Sequence, residues 1–219
     1  MPISNRHLSS LWSVTTVLAL TLAALAGGWW LGRRDLSTRG NPDPRQAELA
    51  NEAGQLRLKL DQGEASDADK QRLLELLVGL DRTSEAITVL EPMADQDPDR
   101  WALRLLLAEL RRDRKDFPGA ERELRLILNR KPDQPEALHL LTLVLLEQGR
   151  GAEAEARVKG AYAAASKPSP KPEALPVGLL LAEVQKRRQQ PAAAEATYRR
   201  LATEFPTDQR PLLGLALLR

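Results

Sequence analysis

Residues 101–134 read WALRLLLAELRRDRKDFPGAERELRLILNRKPDQ, and this stretch decides the fold. An amphipathic first segment carries Leu107 beside the small Ala108. A polar turn follows at Lys115-Asp116. The second segment begins with Ala120, where a larger side chain would push two helices apart, and Leu124 stands four residues later on the same side. Pro132 ends it, because proline cannot continue a helix, and Asp133 can cap the next one. Asp133 with Glu136 has capping-box spacing.

Outward from this stretch the same marks recur. Ala86, Ala120 and Ala154 lie 34 residues apart, and Ala194 follows 40 later. Leu73, Leu107, Leu141, Leu181 and Leu215 keep the beat, as do Pro98, Pro132 and Pro206. A period of this length is one helix–turn–helix unit, repeated. Units are predicted to start near residues 67, 101, 135, 175 and 209, giving about four and a half repeats over 67–219. Asp99 and Asp208 are expected to cap first helices as Asp133 does. Lys167-Pro-Ser-Pro-Lys-Pro172 holds the six extra residues and reads as a stiff, extended spacer. Residues 47–64 precede the repeats as a leading helix, with Leu49, Ala53, Leu56 and Leu60 on one side and Gly63 at the end.

Composition agrees with an all-α chain. Aromatics make up 4% of the 219 residues, and Leu, Ala, Arg, Glu and Gln dominate. There is no cysteine, so disulfides, thiolate metal sites and cysteine nucleophiles are excluded. Net charge is −7 over residues 41–100 and +6 over 101–219. The basic residues of the second part are interleaved with Glu, as in Arg122, Glu123 and Arg125, which reads as a mixed, solvated surface with no nucleic-acid partner.

The N-terminal end has another character. After a tail of residues 1–7, residues 8–32 carry no charge and are long enough to span a bilayer. Trp12, Trp29 and Trp30 mark its ends as interfacial aromatics do. A cleaved signal peptide is the competing reading, with Ala24-Leu25-Ala26 as the cleavage site. A linker is expected over 33–46. Arg33, Arg34, Arg39 and Arg45 outnumber Arg6 across the span, which places the C-terminal part in the cytoplasm, or in the stroma of a plastid-like compartment.

These landmarks resemble the tetratricopeptide repeat family over roughly residues 67–219. The family's Trp at position four of the unit is Lys70, Arg104, Leu138, Gly178 and Leu212 here, and its Tyr at position eleven is Leu77, Arg111, Leu145, Gln185 and Arg219. Related helical-hairpin arrays share the layout. The resemblance implies a solenoid of helical hairpins whose first helices line a groove for a protein or peptide. By phase, the groove residues are Gln71, Glu75, Leu105, Glu109, Arg112, His139, Leu143, Leu179, Glu183 and Lys186. Val78 and Leu146 fall at the same phase.

The last half-unit, Asp208 to Arg219, reads as a helix apolar nearly all round. Leu212, Leu213, Leu217 and Leu218 are its expected association surface, toward a partner or a second copy. No catalytic, metal or cofactor motif is present: His7 and His139 are the two histidines, and no nucleophile elbow, phosphate loop or metal-ligand spacing occurs. The expectation is a non-enzymatic, membrane-tethered scaffold for protein assembly, or a fixed subunit of a membrane complex. A periplasm-facing or secreted repeat protein is the remaining reading if the N-terminal segment is a signal peptide.

Overall fold

A computed structural model of the chain describes residues 44–97, 99–132 and 134–218. The expected tail at 1–7, membrane segment at 8–32, most of the linker at 33–46, and the proposed break at Pro98 and cap at Asp133 lie outside the described residues. Among the described residues, every element is helical. The helices are α1 (Pro44–Asp61), α2 (Asp67–Gly79), α3 (Thr83–Gln96), α4 (Trp101–Asp113), α5 (Phe117–Arg130), α6 (Pro135–Glu147), α7 (Gly151–Ala165), α8 (Ala174–Arg187), α9 (Pro191–Glu204) and α10 (Arg210–Ala216). None of them is long and apolar enough to cross a membrane. The chain divides into two compact units, one ending at Val89 and the other running from Leu90.

In the first unit, α1 buries Ala53 and Leu56 and packs on α2, which buries Leu73, Leu74, Leu76 and Leu77. Arg72 of α2 grips Glu52 of α1 through two hydrogen bonds of 2.8 and 3.1 Å. Helix α1 begins at Pro44, three residues ahead of the expected Ala47. Proline fits a first turn, where its missing N–H would have no helical partner anyway. A capping box opens α2: the Ser66 hydroxyl accepts the Asp69 N–H at 3.1 Å, and the Asp69 carboxylate accepts the Ser66 N–H at 3.0 Å. Helix α3 runs through Pro92.

The second unit stacks helical hairpins. Successive helices from α4 to α10 pack in order, and α4 also touches α6, as α6 touches α8. The in-phase residues explain why. Ala86, Ala120, Ala154 and Ala194 have no accessible surface, so each second helix sits close on its neighbours. Leu107, Leu141 and Leu181 are buried beside Ala108, Thr142 and Ala182. Each such leucine contributes about 1.5–3 kcal/mol by leaving water.

The corner between first and second helix is made by the backbone. Asp81, Lys115, Gly149 and Gln189 all take a left-handed conformation, with φ of 57°, 63°, 73° and 60°. The next residue's N–H then returns to the carbonyl at position eleven: Arg82 to Leu77, Asp116 to Arg111 and Arg150 to Leu145 at 2.8 Å, and Gln190 to Gln185 at 2.9 Å. This is a Schellman motif repeated four times, closing the last carbonyls of α2, α4, α6 and α8.

A buried ion cluster occupies positions four and eleven of the hairpin α4–α5. The Glu123 carboxylate of α5 accepts from Arg104 at 2.8 Å and from Arg111 at 2.6 Å, all three side chains being buried. The remaining guanidinium donors reach Asp95 at 3.0 Å and Glu91. Gln185, at position eleven of a later hairpin, accepts instead from the Thr197 hydroxyl at 2.8 Å.

Three sequence expectations need correction. Asp99 does not cap α4: its own N–H donates to the Asp97 carboxylate at 3.1 Å, and the turn is closed by Arg100 N–H on the Asp97 carbonyl. Asp208 accepts the Arg210 N–H at 2.9 Å, but the N-cap position of α10 is Gln209, whose side chain makes no cap hydrogen bond. The segment at 167–172 is exposed but not an extended spacer, because Lys171 N–H bonds back to the Ala165 carbonyl at 3.0 Å. Proline's fixed φ suits a turn as well as an extended strand. Lastly, the terminal helix is shorter than expected, Arg210–Ala216, and is one-sided. Leu215 and Leu218 are half-buried and pack on the core, while Leu212, Leu213 and Leu217 are 55%, 59% and 80% exposed.

Candidate functional site

The candidate residues of the second unit sit on three adjacent first helices. Positions five, nine and twelve of a unit are separated by one and two helical turns, so they share a side of their helix. On α4 these are Leu105, Glu109 and Arg112, all half-buried. On α6, His139 is exposed and Leu143 half-buried. On α8, Leu179, Glu183 and Lys186 are half-buried. Helix α6 lies between the other two. Of the leucines, Leu105 and Leu179 pack on the core and offer only part of their surface.

Charge pairing fixes the face. Arg112 of α4 reaches across to Glu147 of α6 at 2.6 Å, a residue that phase alone did not select. Its spacing of one repeat plus one residue was the only signal. On α8, Glu183 accepts from Lys186 and Arg187, each at 3.2 Å. Burial pushes the Glu183 carboxyl up, but these two hydrogen bonds outweigh it and hold it below the usual carboxylate range. Burial pushes the Glu109 carboxyl up, and neighbouring Asp113 adds to this against the opposing Arg112. Although His139 is exposed as a residue, its ring is held below the usual imidazole value, first by partial desolvation among its neighbours and then by the positive fields of Arg112 and Arg187. The resulting strip is apolar at Leu143 and charged around it, an arrangement that can bury apolar side chains of a partner and pair its charges at the edges.

Gln71 and Glu75 belong to α2 of the first unit. Gln71 is exposed, and half-buried Glu75 is 3.6 Å from Arg72. Among the described residues, no group of three His, Cys, Asp or Glu side chains could hold a metal ion.

Three comparisons bear on the fold. A tetratricopeptide repeat family model matches residues 77–144. No curated protein matches the chain in sequence. A tetratricopeptide repeat protein from Parabacteroides merdae superposes with a TM-score of 0.55 at 17% identity, covering 80% of this chain and 67% of that one. Nearly identical repeats like those of the family, from a kinesin light chain described in Podosopora anserina, superpose with a TM-score of 0.55 at 15% identity, covering 77% of this chain and all of that one. At these identities the structural likeness speaks for the fold. The match over residues 77–144 and the shared architecture together make this an all-helical repeat solenoid of the tetratricopeptide type.

Proposed function

We infer that this chain is a membrane-tethered protein-interaction scaffold that assists assembly or maturation of a membrane complex. A tetratricopeptide-type solenoid is a protein-binding scaffold, since stacked hairpins present extended surfaces for other chains. The observation that carries the reading is the packing of α6 between α4 and α8, which sets the helix of Leu143 and His139 between those of Glu109, Arg112 and Glu183. The occupant of this strip is a protein segment with apolar anchors. The uncharged residues 8–32, followed by Arg33 and Arg34, support a tether with the repeats on the cytoplasmic side.

Affinity capture of the full chain from solubilised membranes tests this. Immature subunits captured substoichiometrically are the expected result, and a fixed-ratio complex would make the chain a permanent subunit instead. Leu143→Ser with His139→Ala should release the captured protein while leaving thermal unfolding nearly unchanged. Retained capture would remove the strip from the reading. Digestion of the repeats by protease added to inside-out vesicles is expected for a cytoplasmic domain; protection would reverse the orientation.

A further inference from the structure

The second helices of the second unit sort their charges by side. Every Arg and Lys on them is exposed: Arg122, Arg125 and Arg130 on α5, Arg157 and Lys159 on α7, Arg199 and Arg200 on α9. Every carboxylate on the same helices is buried or half-buried. The first helices α4, α6 and α8 show the opposite balance, with Asp113, Glu136 and Glu147 exposed against Arg187, while α10 adds exposed Arg210. Interleaving of Arg and Glu along the sequence thus conceals a segregation: Glu123 points into the protein while Arg122 and Arg125 face out. Arg122, Arg125, Arg199 and Arg200 are ion-paired, with Glu123, Glu121, Glu195 and Glu204 respectively, whereas among the described residues Arg130, Arg157 and Lys159 form no ion pair.

The three helices are held as one layer. Arg150, leading into α7, bonds Glu121 of α5 at 2.6 Å, and Tyr162 of α7 donates to Glu204 of α9 at 2.8 Å. Between the cations the surface is low, built of exposed Ala156, Gly160, Ala163 and Ala196. A hollow of about 460 Å³ lies along α5, lined by Arg122, Arg125 and Arg150 with Leu126 at its side. Its Glu121 is already held by Arg125 and Arg150.

We propose that the outer layer of α5, α7 and α9 is a docking surface for an anionic phospholipid bilayer. The charge complementarity is with a polyanion, and it is carried by Arg130, Arg157 and Lys159, the cations of this layer without an ion-pair partner among the described residues. No aromatic side chain is exposed on these helices, so the stacking platform that single-stranded nucleic acid uses is missing. The choice of lipid rests on the reading of residues 8–32 as a tether, which would hold the repeats within reach of headgroups. Clustered basic residues near such a surface are attracted to its negative potential over about a Debye length.

The absence of cysteine permits a clean test on the full chain. A fluorophore is attached at Ala163→Cys, or at Glu136→Cys on α6 as the opposite-side control, and the protein is mixed with vesicles bearing a headgroup quencher. Quenching of the Ala163 probe in phosphatidylcholine–phosphatidylglycerol vesicles at low salt is expected, with little quenching at Glu136, in pure phosphatidylcholine or at high salt. Arg157→Glu with Lys159→Glu should lower the docked-to-undocked ratio about tenfold or more with the helical signal unchanged. Equal quenching at both probes, indifference to lipid charge, or indifference to the charge reversal would overturn the proposal. So would an unquenched Ala163 probe that responds instead to an added oligonucleotide. Flotation with neutral vesicles at high salt reads the tether separately. A chain that floats there but leaves the probe unquenched on anionic vesicles retains the tether and loses the docking surface. A chain that floats only with anionic vesicles does the reverse.

Discussion

Glu123 shows how much a single side chain can decide. It is the shared partner of Arg104 and Arg111, and all three are buried. Glu123→Ala would leave two guanidinium groups without it, at an expected cost of about 3–5 kcal/mol in denaturant unfolding. Replacing all three by Leu or Met should restore most of that stability; a triple variant as weak as the single one would refute this account. Position four behaves in the same individual way. At Gly178 an added Cβ would lie 2.5 Å from the Leu201 side chain, so no tryptophan fits there. Glu109 offers a pH test. Its carboxyl is raised by burial and by Asp113, so its charged form costs stability in the folded state at neutral pH. That cost fades as pH falls through the raised value and is gone below the ordinary value of about 4.3. Glu109→Gln should therefore raise the melting temperature at pH 7 and lose that advantage toward pH 4. An unchanged difference across this range would contradict it.

Among the elements, the corners carry the clearest expectation. Three of the four left-handed corner residues are not glycine, namely Asp81, Lys115 and Gln189. Lys115→Gly or Gln189→Gly should stabilise by about 0.5–1 kcal/mol, while Gly149→Ala should cost about 1 kcal/mol, each read from chemical unfolding. These hairpins were legible in the sequence because Ala120, Leu107 and their counterparts do the same packing in each unit and so recur in phase. The individual pairings were not. Arg111 with Glu123 and Gln185 with Thr197 share a separation of 12 residues but no chemistry, so no motif announces them. That Asp97 closes the turn before α4 and Asp99 caps nothing was likewise invisible, since either aspartate has the right composition for the turn. Side-sorted charge escaped for another reason: adjacent residues on a helix are 100° apart, and a linear reading mixes what the cylinder separates.

For the whole described chain, stability is a matter of neighbours. Contacts in the second unit run between successive helices and between alternate first helices, so no helix is braced from far along the sequence. Helix α6 is the most enclosed, touching α4, α5, α7 and α8, with Leu141, Val144 and Leu145 at most 1% exposed. Helix α10 buries only Pro211 in full. Amide exchange should be slowest in α6 and fastest in α10, as expected for an array that opens from its ends. Uniform protection across these helices would argue for one cooperative block.

Because the turn between helices is set by main-chain hydrogen bonds, the side chains just before and after it are released from shaping the corner. They have become individual fasteners: ionic at Arg111 and Glu123, neutral at Gln185 and Thr197. The hairpins are consequently alike in outline yet not exchangeable. Swapping α5 with α9 would set Glu123 against Gln185 and strand Arg111 opposite Thr197, so each copy is keyed to its own place in the row.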